Sequence, residues 1–110
     1  MISWHDFEKV EMRVGTIIAV ADFPKADKPA YQLTIDFGPE LGTKKTSAQI
    51  TKQYTKEELL QKQIVAVVNF PKKQIADFMS ECLVLGSIGE ENNIVLLSSD
   101  KPVRNGLRVG

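Results

Sequence analysis

A chain of 110 residues, 43% hydrophobic and 25% charged, holds one core, so a single domain over 1–110 is expected, and its small size favours pairing with a second copy. Its 14 basic and 14 acidic side chains cancel, which excludes a global field drawing it to nucleic acid or anionic membrane; any electrostatic partner has to be read locally. One cysteine and one histidine exclude a disulfide framework and a metal cluster of recognisable spacing, and without a leader or an apolar run of spanning length a cytoplasmic protein with no membrane insertion is expected.

Ser3 caps a short helix carrying Trp4, Phe7 and Val10 on one side, with Asp6 completing a capping box. The valine- and isoleucine-rich run Arg13 to Ala21 follows as strand one, and Gly15 within it suggests a bulge or tight bend. In strand two, YQLTIDF, Tyr31, Leu33, Ile35 and Phe37 face one way while Gln32, Thr34 and Asp36 face the other. Gly38, Pro39 and Gly42 mark a turn, and Lys44 to Ile50 forms a more polar third strand.

Thr55 and Glu58 give a second capping box, which places a short helix over TKEELLQK. Strand four is Ile64 to Val68, strand five Cys82 to Gly86, and Ile94 to Leu97 adds a sixth after the turn signal GEENN. Asn105-Gly106 marks one more tight turn. Three strands, a helix and two further strands is the order of an all-β, five-stranded Greek-key barrel of the oligonucleotide-binding (OB) type. An N-terminal helix, a helix between strands three and four, and extra C-terminal strands complete it.

Between strands four and five lies NFPKKQIADFMSE, Asn69 to Glu81, which reads as a binding loop displayed by a buried frame. From Lys44 to Lys73 seven lysines face only Glu57 and Glu58, a local excess of plus five. Lys44, Lys45, Lys72 and Lys73 could form a basic rim suited to phosphate, although lysines also keep sheet edges soluble. Phe70 and Phe78 could stack on unpaired bases, with Asn69 and Ser80 reading base edges or sugar hydroxyls; for each phenylalanine alone, core packing is the commoner role. A third reading sets Phe70, Pro71, Phe78 and Met79 in an apolar groove for extended peptides.

Catalysis finds little support. Cys82 lies inside an apolar strand, where its thiolate is disfavoured. His5 stands alone on the first helix, and nothing sets Asp77 and Glu81 in the opposed environments that acid–base work needs. No phosphate-binding glycine loop is present, because Gly38 and Gly42 lack the trailing lysine and hydroxyl. Neither metal nor cofactor is expected.

The blocks MRVGTII, FPKADKPAYQLTIDFG, KKTSAQI, YTKEELLQKQIVAVVNF and FMSECLVLG, in that order, resemble the tRNA-binding domain family, and most of all its small bacterial branch of export-related chaperones. The resemblance implies an OB barrel, a homodimer, tRNA binding and, for the chaperone branch, binding of preproteins and of the export motor. It places nucleic-acid contacts at Asn69, Lys72, Lys73, Ser80 and Glu81 and matches the first-strand signature at Arg13 and Gly15. Lys44, Lys45, Gln49 and Lys52 on and after the polar third strand complete the candidate surface.

Three positions depart from the family pattern. Gln74 stands where relatives often carry a basic residue, Asp77 where they carry glycine, and Phe23-Pro24 where many tRNA binders have histidine-proline. A carboxylate at Asp77 would repel phosphate and restrict a positive backbone dihedral, or could pair with Lys73.

Overall fold

The computed structural model, which describes residues 1–110, opens with helix α1 (Trp4–Glu8), capped reciprocally by Ser3 and Asp6. The helix is shorter than its apolar pattern suggests: Val10 lies beyond it, and Trp4 is 84% exposed while Phe7 is half-buried, so its apolar side is only partly covered within one chain. Strands β1 (Met12–Asp22), β2 (Tyr31–Asp36) and β3 (Thr43–Ala48) form an antiparallel meander. Strand β4 (Gln63–Val67) returns to the other edge of β1, and β7 (Leu83–Val84) pairs with β4. The sheet order β3-β2-β1-β4-β7, with β3 folded round to meet β7, is the five-stranded Greek-key OB barrel that the sequence predicts.

Alternation in β2 does what its pattern requires: Leu33, Ile35 and Phe37 are buried in the barrel. The barrel end is stopped by α3 (Lys56–Leu59), whose Thr55–Glu58 capping box is formed and whose Leu59 is fully buried. Tyr54 joins this plug to two strands, since Tyr31 Oη donates to its carbonyl (2.8 Å) and the Leu96 N–H donates to its hydroxyl (3.0 Å).

Several elements differ from expectation. The bulge in β1 falls at Ile18, between the paired residues Ile17 and Ala19, rather than at Gly15. Gly15 instead permits close packing, because a Cβ there would stand 2.6 Å from Ile35 Cγ2 and 2.7 Å from the Phe37 ring. The turn at Gly38 is one turn of helix, α2 (Gly38–Leu41), entered with Gly38 at φ +90°.

The segment Asn69 to Glu81 is not an open loop: β5 (Lys73–Ile75) and β6 (Phe78–Ser80) pair as a hairpin. Its turn has no glycine, and Ala76 takes the left-handed conformation (φ +51°) there instead of Asp77. The fifth strand is split, with β8 (Gly86–Ile88) leaving the barrel to pair with β9 (Ile94–Leu96). A short β10 (Arg108–Val109), with no signal in the sequence, pairs with the start of β1.

Candidate nucleic-acid interface

Between β3, the β5–β6 hairpin and β7–β8 lies an open groove of about 760 Å³. Thr46, Ala48, Cys82 and Val84 contribute to its floor, while Phe70, Pro71 and Lys72 enter from the chain that leads into β5 and Lys73 from its first residue. Phe70 is 54% exposed, so its ring is free to take a flat partner. The groove is apolar at its base and carries cations and amides at its rim, among them Lys72, Lys73, Gln49 and Asn92.

The seam between β3 and the chain entering β7 closes above this groove. The Glu81 N–H donates to the Lys45 carbonyl (2.7 Å) and the Glu81 carboxylate accepts from the Lys45 N–H (2.9 Å). One step further in, the buried Thr46 hydroxyl donates to the Cys82 carbonyl (2.7 Å) and lies 2.9 Å from Ser80 Oγ. Burial is the main reason that the Cys82 thiol is pushed up to about 12, which leaves it protonated and a poor nucleophile at neutral pH.

The hairpin is tied to the β1–β2 turn on its far side. Phe78 packs on the buried Phe23 ring (centroids 5.4 Å apart, planes at 57°). Beside it Asp77 pairs with Lys25 at 3.0 Å, and not with Lys73. The hydrogen bond from Lys25 holds the Asp77 carboxyl below its ordinary range. Phe23, at the position where many tRNA binders carry histidine, thus belongs to the support of the hairpin.

The structure gathers part of the expected surface. Lys72, Lys73, Gln49, Ser80 and Phe70 all line the groove, and Lys44 and Lys45 precede it on β3. Lys52 reaches across the rim to donate to the Glu91 carbonyl. Arg13 sits elsewhere, on β1, where it pairs with Glu11 (3.1 Å) and donates to the Gly106 carbonyl (2.9 Å). Asn69 has both ends of its carboxamide engaged: Oδ1 accepts from the Glu11 N–H (3.0 Å) and Nδ2 donates to the Lys9 carbonyl (2.7 Å), fastening the exit of α1 to the end of β4.

Glu81 pairs at 3.6 Å with Lys72 in addition to holding Lys45. Phe78 and Met79 do not join Phe70 in one apolar groove, because Phe78 covers Phe23 and Met79 pairs with Gln74 on the hairpin. Sequence reasoning missed Ser47 and the apolar wall supplied by Leu83, Leu85 and Ile88, of which Ile88 is 80% exposed. A continuous apolar run reads as buried on both faces, whereas β7 is covered only from the barrel side.

The fold is that of an OB-barrel domain, with a groove between its third and last barrel strands flanked by the β5–β6 hairpin. Residues 12–108 match the tRNA binding domain family, and the chain belongs to that family. It is 38% identical over 108 residues to the methionine–tRNA ligase of Pyrococcus horikoshii and 38% identical over 110 residues to that of Nanoarchaeum equitans. It covers only 14% of the length of either enzyme, while 98% and 99% of the chain is aligned.

Among solved structures, the chaperone CsaA of Bacillus anthracis superposes with a TM-score of 0.95 at 47% identity, covering 100% of this chain and 99% of that one. The CsaA chaperone protein of Picrophilus torridus does so with a TM-score of 0.94 at 51% identity, both chains being covered completely. No helix is long and apolar enough to cross a membrane.

Proposed function

We propose that the chain is a non-enzymatic, CsaA-like tRNA-binding protein that works as a cytoplasmic homodimer and grips RNA at the groove face. The observation carrying this reading is the placing of Lys72 and Lys73 on the lip of a groove that also exposes Phe70, in a chain of the tRNA binding domain family. Lysines on the rim neutralise phosphates, and an exposed ring stacks on a base. Lys44 and Lys45 extend the cationic edge along β3. The exposed Met1, Ile2 and Trp4 support a second copy covering α1.

Titration against tRNA at increasing salt tests the main reading: tight binding at low salt that falls steeply as salt rises is expected, and no binding at low salt removes it. Sedimentation at micromolar concentration tests the dimer, which a monomer would overturn.

A second reading is favoured by the apolar wall of the groove and by the likeness to two CsaA proteins that are named as chaperones. In it the groove holds unfolded polypeptide, with preproteins and the export motor as partners. Competition between tRNA and a labelled unstructured peptide separates one shared site from two.

A further inference from the structure

The pair Asn105-Gly106 brings a chemical hazard along with its turn. A side-chain amide is attacked by the nitrogen of the next residue most easily when that residue is glycine, which has no Cβ in the path. The Gly106 nitrogen loses its proton to base and bonds to Asn105 Cγ, and the Cγ–Nδ2 bond breaks with Nδ2 leaving as ammonia. Water then opens the succinimide at one carbonyl or the other. The product is aspartate or, with the main chain rerouted through Cβ and Cγ, isoaspartate.

The fold calls for both residues. Gly106 takes φ +92°, and a Cβ on it would stand 2.6 Å from the Phe37 carbonyl oxygen. Asn105 Oδ1 accepts from Thr16 Oγ1 (2.7 Å) and from Gln63 Nε2 (3.1 Å), which fastens the C-terminal segment to β1 and β4. Neither residue can be changed without loosening what it holds.

The same contacts keep the reaction from starting. The Gly106 N–H donates to the Val14 carbonyl (2.7 Å) and the Gly106 carbonyl accepts from Arg13 (2.9 Å), so the nucleophile stays protonated and turned towards β1. Around it the Val14 N–H donates to the Leu107 carbonyl (3.0 Å), Arg108 of β10 pairs with Arg13, and the Gln63 carboxamide holds both the N–H and the C=O of Val103. Asn105 and Gly106 are half-buried within this clasp. The two groups that must meet are held by partners outside the turn, and displacement of β10 frees them.

We infer that Asn105-Gly106 is a fold-gated deamidation site, closed while the C-terminal strand is seated on β1 and spent once that strand has come away and the reaction has run. Isoaspartate puts an extra carbon into the main chain where there is no space for it, since Gly106 lies against Phe37 and a Cβ on Gly38 would stand 2.9 Å from the Asn105 carbonyl oxygen. A chain so modified cannot reseat β10 in the same register. Opening of the clasp is thereby recorded in the covalent structure, beside the point at which Arg108 ties the strand to the Glu8 carbonyl of α1 (2.8 Å).

The test is to age the full chain at mildly alkaline pH, folded and in urea, and to follow position 105 by peptide mapping and by methyl labelling with an isoaspartyl methyltransferase. The folded chain should deamidate about a hundredfold more slowly than the unfolded one, the factor set by opening about two net hydrogen bonds. Arg13→Ala releases the Gly106 carbonyl and should speed the folded reaction about tenfold while leaving the rate in urea unchanged, circular dichroism showing the barrel intact. Isoaspartate-containing chain, separated after ageing in urea and refolded, should exchange its Val14 and Gly106 amides faster than the parent. Equal rates in folded and unfolded chain, or an Arg13→Ala rate equal to the parent's, overturn the gate. Absence of deamidation at position 105 in urea overturns the site, and parental exchange in the refolded isoaspartate chain overturns its irreversibility.

Discussion

Glu81 holds the main chain of Lys45 from two directions, its N–H on the carbonyl at 2.7 Å and its carboxylate on the N–H at 2.9 Å. This pair closes the barrel where β3 meets the last strand, and it gives Glu81 a structural task at a position the family pattern assigns to ligand. Glu81→Ala removes one of the two bonds and should cost about 0.5–1.5 kcal/mol in urea unfolding. Glu81→Gln keeps an acceptor for the Lys45 N–H and should cost less. Because it also removes a negative charge beside Lys72, it should raise tRNA affinity at low salt. A fall in affinity for Glu81→Gln at unchanged stability would instead make the carboxylate a ligand group.

The cationic lip makes a separate prediction. Replacing Lys72 and Lys73 together by alanine should weaken tRNA binding at low salt and reduce the slope of log affinity against log salt by about 2, roughly 0.9 for each phosphate that is no longer neutralised. Arg13→Ala is the control. Its guanidinium is spent on Glu11 and Gly106, so it should lower the melting temperature and leave the salt slope unchanged.

At the far side of the hairpin, the Asp77–Lys25 pair ties the β5–β6 turn to the segment between β1 and β2. The Asp77 carboxyl lies below its ordinary value of 3.8, chiefly through the hydrogen bond from Lys25. A depressed carboxyl pKa contributes stability that is present above the unfolded value and lost as pH falls through the folded one. The tie is therefore intact at neutral pH and weakens only in strong acid. Asp77→Asn should raise amide exchange at Gln74 to Met79 at pH 7, and that increase should vanish relative to the parent at pH values below the folded pKa.

Much of this architecture is legible in the sequence because burial repeats it. The alternation of Leu33, Ile35 and Phe37 and the two capping boxes at Ser3 and Thr55 are local signals, and each is realised. Gly15 is legible only as an anomaly in a strand, since sequence does not say whether a glycine bends a chain or admits a neighbour. Gly15→Ala should cost about 1–3 kcal/mol, because its Cβ would meet Ile35 and Phe37, side chains that are fully buried and have no room to yield.

The hairpin and the groove wall escape notice for long-range reasons. Ala76 does the work of a turn glycine, and the exposure of Ile88 depends on β8 leaving the barrel. The commitment of Asn69 to Lys9 and Glu11 spans about half the chain and has no local pattern.

Cys82 provides the last measurement, and its sign is set by where the thiol titrates. Burial raises it from an ordinary value of 9.0 to about 12 in the folded chain. Below pH 9 both states keep the proton and the group contributes no pH dependence. Between the two values the unfolded chain releases its proton while the folded chain keeps it, so stability falls as pH rises. The steepening of unfolding above pH 9 should be smaller in Cys82→Ala than in the parent once its lower baseline stability is subtracted. At pH 7.5, alkylation of the parent by iodoacetamide should be slow and should accelerate in denaturant in step with loss of the fold. Rapid alkylation of the native chain at that pH would mean that the seam at Thr46 and Cys82 opens far more readily than its hydrogen bonds indicate.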